Sequence, residues 1–150
     1  KYVIGVDKTN LRQYIDRSKC RCIRCREIKG GSIGKVEMKV YSYSASGGAE
    51  FFISLESNSK LVGFCRLRFG DGKAIVRELH VYGVAVSVGE EGSVQHKGFG
   101  KKLLLKAEEI CKMNGHKKVS VISGVGVRGY YRKLGYKKEG FYMVKPFYST

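Results

Sequence analysis

The stretch from Ile75 to Ala107, IVRELHVYGVAVSVGEEGSVQHKGFGKKLLLKA, sets the tightest limit on what this chain can fold into. From Ile75 to Val81 β-branched and polar side chains alternate, which predicts a half-buried strand. From Lys101 onward the apolar residues fall at Leu103, Leu104, Ala107, Ile110 and Cys111, at helical spacing, and Gly115 stands where a C′ glycine is expected. Between strand and helix lie a long connection, Tyr82 to Val94, and then Gln95, His96, Lys97, Gly98, Phe99 and Gly100. Two glycines at the mouth of a helix let the backbone approach a ligand closely. The unpaired N–H groups of the first turn point outward and carry the positive end of the helix dipole. Strand, glycine turn and helix N-terminus together read as a cradle for a phosphate.

The rest of the chain supplies a sheet for that unit. A strand is predicted over Lys35–Tyr43, with apolar side chains alternating at Val36, Met38 and Val40. Gly47-Gly48 turns into a strand over Glu50–Glu56, Asn58-Ser59 into Leu61–Phe69, and Asp71-Gly72 into the central strand. Downstream, Lys118–Ser123 reads as a strand, Val127–Leu134 as a helix, and the region around Tyr136–Lys145 as a last strand or hairpin. Asn10 could cap a short helix carrying Leu11, Tyr14 and Ile15. The expected class is α+β in one domain over residues 1–150: an antiparallel meander, then strand, helix, strand, helix. The chain begins at Lys1, so it is expected to be part of a longer polypeptide.

Charge narrows the partners. Twenty-nine Lys and Arg against 13 Asp and Glu leave +16, far more than solubility needs, and favour a polyanion. No apolar run approaches the ~20 residues of a membrane span, and no basic stretch carries an apolar insertion face, so a membrane partner is not expected. Arg12, Arg17, Arg21, Arg24 and Arg26 crowd one interval and are the expected phosphate contacts of a nucleic-acid surface. Within that interval Cys20, Cys22 and Cys25 form a Cys-x-Cys-x-x-Cys cluster among five cysteines. Pairing within so short a stretch is strained, which points to free thiols and a reducing cytoplasm. Thiolates suit zinc, but a structural site usually has four ligands. The fourth is open among Cys65, Cys111, His80, His96, His116 and a residue outside this chain.

The pattern Gln95-x-x-Gly98-x-Gly100 resembles the pyrophosphate-binding motif of the GNAT acetyltransferase superfamily. Four segments in order, Arg77–Gly83, Gln95–Gly100, Val121–Gly126 and Tyr130–Tyr136, are similar to the acetyltransferase domain of the elongator protein three family, a resemblance reaching from residue 10 to residue 146. It implies a GNAT fold: a mixed, mostly antiparallel sheet splayed at the acetyl-CoA site and flanked by helices. It also implies that Leu79, His80 and Val81 pair with the pantetheine arm. Gln95, His96, Lys97, Gly98, Phe99, Gly100 and Lys101 would hold the pyrophosphate, with Tyr130 and Tyr131 near the thioester. The function implied is acetyl supply for modifying the tRNA wobble uridine. A radical S-adenosylmethionine domain with a 4Fe-4S cluster would lie in a missing N-terminal part. The cluster triad of that domain, Cys-x-x-x-Cys-x-x-Cys, is not matched by Cys20-x-Cys22-x-x-Cys25. An insertion at the place of Tyr82–Val94 and a cysteine-rich element also belong to relatives of this kind.

Acyl transfer needs a cofactor seat, removal of a proton from the acceptor, and donation to the departing thiolate. Glu78 is the candidate base, on the strand the cofactor would follow. By strand alternation it shares a face with His80, a second candidate, while Arg77 and Leu79 point the other way. Tyr130 and Tyr131 are candidate proton donors; one is expected in the core, and Tyr130 is slightly preferred as the donor. Two other functions fit the same residues: a protein-lysine N-acetyltransferase, and a tRNA-binding module without a working acyl site. Oligomeric state is not legible.

Overall fold

The computed structural model describes residues 20–29, 33–82 and 98–148. The helix expected after Asn10 and most of the long connection lie outside them. The elements run α1 (Ile23–Arg26), β1 (Glu37–Ala45), β2 (Gly48–Ser57), β3 (Lys60–Gly70), β4 (Lys73–Val81), α2 (Phe99–Met113), β5 (Lys118–Ile122), a 3-10 turn (Val125–Val127), α3 (Arg128–Lys133), β6 (Lys137–Glu139) and β7 (Tyr142–Pro146). One seven-stranded sheet takes the order β1-β2-β3-β4-β5-β7-β6. β1 to β4 are successive antiparallel hairpins, β5 joins β4 in parallel, and β7 returns antiparallel between β5 and β6. This is the expected class, with strand bounds close to those predicted.

The hairpins are sharp for a backbone reason. Ser46-Gly47, Asn58-Ser59 and Asp71-Gly72 all have positive φ at both residues, as two-residue turns that match strand twist require. The predicted helix Val127–Leu134 starts one residue late and is preceded by the 3-10 turn, in a stretch where Gly124, Gly126 and Gly129 weaken helical continuation. α1 was not legible: it is one turn long and buries no residue completely. Met38 and Val40, on the apolar side of the predicted strand, are 38% and 40% exposed, because β1 is the edge strand and α2 packs over β2 to β5.

α2 buries Leu103, Leu104, Ala107 and Cys111 against Ile53, Cys65, Leu67 and Val76 of the sheet, with Val119, Val121 and Met143 completing the core. Glu108 is also buried on this helix, where the Tyr136 hydroxyl donates to it at 2.9 Å and Lys145 Nζ lies 3.0 Å away. That pairing ties β7 and the segment before β6 to α2. The opposite sheet face carries α1, anchored by Ile28 N–H donating to the Leu61 carbonyl and by Arg26 bound to the buried Glu56.

Candidate active site

β4 and β5 are paired only at Ile75–Ser120 and Val76–Val121. Beyond Val76, β4 runs on to Val81 with no ladder partner on that side. The cause is local: β3–β4 register passes from Leu67–Val76 to Arg66–Glu78, so Arg77 is an extra, bulged residue. A bulge bends and twists its strand, and here it turns the end of β4 away from β5. The open edge keeps main-chain donors and acceptors that need partners.

At the end of this opening sits the N-terminus of α2. Gly98 is its N-cap, at φ 114, with no side-chain cap and open space where a Cβ would stand. The first turn has no acidic residue and instead carries Lys101 and Lys102. Cations there oppose the helix dipole, an arrangement that an anion at the N-terminus reverses into a favourable one. A hollow of about 320 Å³ joins this helix end to the open strand, lined by Leu79, Val81, Gly98, Gly100, Val127, Tyr130 and Tyr131. A larger hollow of about 560 Å³ lies at the other ends of β4 and β5, around Ala74, Ile75, His116 and Lys118. It is lined by Gly115 and His116, which follow the C-terminus of α2, and no helix N-terminus faces it.

The acetyltransferase (GNAT) family pattern matches residues 24–136. The chain belongs to the GNAT acetyltransferase family. It is 42% identical, over 92% of its length, to a tRNA uridine(34) acetyltransferase of Dehalococcoides mccartyi, of which it spans 35%. Among solved structures it resembles the archaeal Elp3 of Methanocaldococcus infernus with its N-terminus deleted, at 41% identity and TM-score 0.74, covering 86% of this chain and 36% of that one. A third neighbour is the PaiA N-acetyltransferase of Thermoplasma acidophilum in complex with coenzyme A, at 26% identity and TM-score 0.50, covering 65% of this chain and 61% of that one. The chain thus spans about a third of the length of the Dehalococcoides and Methanocaldococcus relatives it matches.

On this GNAT scaffold the two tyrosines separate. Tyr131 is buried among core residues, edge-on to Tyr136, and burial pushes its phenol up to about 12. Tyr130 is 41% exposed at the rim of the hollow, and its hydroxyl lies where a Cβ on Gly100 would be 2.6 Å away. Burial raises the Tyr130 phenol as well. Leu79 and Val81 face the hollow; His80 faces the opposite side of the sheet, stacked near Phe64 at 5.0 Å. Phe99 is buried, Lys101 is exposed on the first turn, and Gln95, His96 and Lys97 lie outside the described residues.

Glu78 shares the face of His80, as alternation predicts, but Arg77 does not point the other way. The bulge brings it onto the same face, where Arg77 Nη1 donates to Glu50 at 2.9 Å. Sequence reasoning also missed Arg66, whose Nε lies 3.3 Å from Glu78 Oε2. Counting back from the Asp71-Gly72 turn without a bulge puts Arg66 opposite Arg77, two like charges face to face. The extra residue exchanges that clash for an ion pair.

The three clustered thiols converge, with all sulfurs within 4.8 Å of one another. Among the described residues no histidine, carboxylate or further cysteine joins them, which removes Cys65, Cys111, His80 and His116 as fourth ligand. Cys65 and Cys111 are core residues. The backbone N–H of Cys25 lowers the Cys22 thiol to about 7, while its neighbours Cys22 and Cys20 raise Cys25 to about 11. Arg21 and Arg24 are exposed, as a phosphate surface needs. Arg26 is not free for that role, since it binds Glu56 and donates to the Ser59 carbonyl. Arg12 and Arg17 lie outside the described residues.

Proposed function

We propose that this chain binds acetyl-CoA in the opening between β4 and β5 and activates or hydrolyses its thioester, supplying the acetyl group for C5 modification of a tRNA wobble uridine by a longer enzyme. The observation that carries this is the unpaired edge of β4 ending at a helix N-terminus with two lysines in its first turn. Such an edge suits an extended amide-bearing arm, and such a terminus suits a pyrophosphate. Acetyl-CoA, when bound, supplies an activated acyl group. The α2 first-turn amides and Lys101 hold phosphate, the β4 backbone at Leu79–Val81 orients the arm, and the Tyr130 hydroxyl protonates the leaving sulfur. Glu78, held by Arg66 on the opposite face, accepts a proton from the acceptor side.

The name of the Dehalococcoides relative supports tRNA as the acceptor, and the exposed Arg21 and Arg24 on the face of Glu78 suit its phosphates. Carbon 5 of uridine is a poor nucleophile, and a new carbon–carbon bond needs radical chemistry that a cofactor provides. That chemistry is assigned to the S-adenosylmethionine and 4Fe-4S domain expected outside this chain, in the cytoplasm. Zinc would fit Cys20, Cys22 and Cys25, with its fourth ligand from His96 or from that other part. A lysine N-acetyltransferase remains the rival that Glu78 also supports.

The experiment is to incubate the chain with acetyl-CoA and either tRNA or lysine-rich and acidic peptides, following free thiol and acetylated product. Thiol release stimulated by tRNA, without peptide acetylation, is the expected result. Acetyl-lysine formed at comparable rates would assign the chain to protein acetylation.

A further inference from the structure

Two hollows lie side by side on the sheet face that carries α1. The first, about 410 Å³, is floored by Phe52 and flanked by Tyr41 and Tyr43. The second, about 350 Å³, is floored by Phe64 and holds Glu78 and His80. α1 stands between them, with Arg26 in the wall of the first and Arg24 in the wall of the second. The floors are continuous: Phe52 stacks on Phe64 at 5.1 Å and 26°, and Phe64 meets His80 at 5.0 Å.

We infer that the Tyr41–Tyr43 hollow stacks an unpaired RNA base next to the nucleotide presented at Glu78. This rests on the tRNA reading above and extends it to a second nucleotide. Tyr41 and Tyr43 are 49% and 43% exposed, two residues apart and so on one strand face, with the Tyr43 hydroxyl bonded to the buried Glu50. Aromatic rings beside cations are the signature of single-strand recognition, in which bases stack and phosphates pair with Arg and Lys. The charges favour a polyanion: Arg21, Arg26 and Lys39 line this hollow against the single carboxylate Glu56. Glu56 already neutralises Arg26 and Lys39 in part, so Arg21 and the residual charge are left for a phosphate. In the second hollow Arg24 and Arg66 face Glu27 and Glu78, so its charge is balanced and suits a base edge with both donors and acceptors. From β1 to β4 is three strand spacings, about 14 Å, room for more than one nucleotide. A duplex keeps its bases stacked and paired, out of reach of rings set in a concave floor.

The test uses fluorescein-labelled anticodon stem-loop RNA and a blunt RNA duplex, titrated with the chain and with Tyr41→Ala, Tyr43→Ala and Tyr41→Phe. Each alanine variant is expected to weaken stem-loop binding about 5- to 150-fold, the worth of one base stacked on one ring, and to leave duplex and acetyl-CoA binding unchanged. Tyr41→Phe keeps its ring and should bind as the original chain does. Independently of any variant, 2-aminopurine beside the wobble position should be quenched on binding. Unchanged stem-loop affinity in both alanine variants, equal losses for duplex and loop, or no quenching would overturn the inference while leaving tRNA as acceptor. Failure of the unaltered chain to bind the stem-loop would overturn both. Quenching absent together with tyrosine-dependent capture of a protein segment would assign the hollow to that segment.

Discussion

A Cβ on Gly100 would stand 2.6 Å from the hydroxyl oxygen of Tyr130. Only glycine lets the first turn of α2 pass beneath that phenol. Gly100→Ala should therefore push the ring out of the hollow and lower thioester cleavage about tenfold or more. Alanine is otherwise the better helix former by ~0.5–1 kcal/mol, so thermal stability should hold or fall only slightly. Activity and melting temperature measured on one preparation check this; unchanged turnover would separate Tyr130 from the reaction.

The adjacent tyrosines give a sharper comparison. Tyr130→Phe should cut thioester cleavage about 100-fold, at the low end of what general acid–base catalysis supplies, with acetyl-CoA affinity retained. Tyr131→Phe keeps the buried ring and should leave turnover near normal. Burial raises the Tyr130 phenol, so the group stays protonated past the ordinary range and the rate should not fall until pH exceeds about 10. A pH–rate profile that bends near pH 8 would point to a different donor.

The arginines of the 20s divide by partner. Arg21→Gln with Arg24→Gln should reduce the slope of log K against log salt for tRNA by up to ~1.4, two contacts at ~0.7 each, without loss of stability. Arg26→Gln should act through the fold, because it strands Glu56, which is 3% exposed. Lys39 still reaches Glu56 at 3.1 Å, so the expected loss is about 1–3 kcal/mol, below that of a fully buried pair left without a partner. Salt titrations and urea melts on the same variants distinguish the two.

Alkali should loosen the core. Burial raises Cys65 and Cys111 from the ordinary 9.0 to about 12. Above pH 9 the unfolded thiols give up protons that the folded ones keep, so stability is full below that pH and declines as pH rises toward 12. The slope is up to ~1.4 kcal/mol per pH unit for each thiol. Cys65→Ala should flatten that decline even though it lowers stability at pH 7. Urea melts at pH 7, 9 and 10.5 check the sign.

Much of this was legible because it is local. The turns at Asn58-Ser59 and Asp71-Gly72 announce themselves by residue type, and the α2 apolar stripe by its spacing. The start of α2 was legible because Gly98 and Gly100 stand just before its apolar stripe. What could not be read was register. The Arg77 bulge depends on which residue of β3 opposes which of β4, and that one insertion decides the face of Arg77 and the partner of Glu78. The fate of Arg26 was hidden for a related reason: its ion pair joins a single helical turn to a residue 30 positions later, Glu56. Tyr130 and Tyr131 were indistinguishable by spacing, since a rotation of about 100° along a short helix decides which enters the core.

The most direct measurement of the central claim is calorimetry of acetyl-CoA with the chain, Gly98→Ala and Gly98→Asp. Gly98 holds φ 114, so both variants bear a backbone strain of roughly 1–2 kcal/mol, but only aspartate adds a negative charge where amides face phosphate. The expected order is micromolar-range binding by the chain, weaker binding by Gly98→Ala, and no measurable binding by a folded Gly98→Asp. Equal affinity for all three would contradict the account and place the acetyl-CoA site away from the N-terminus of α2.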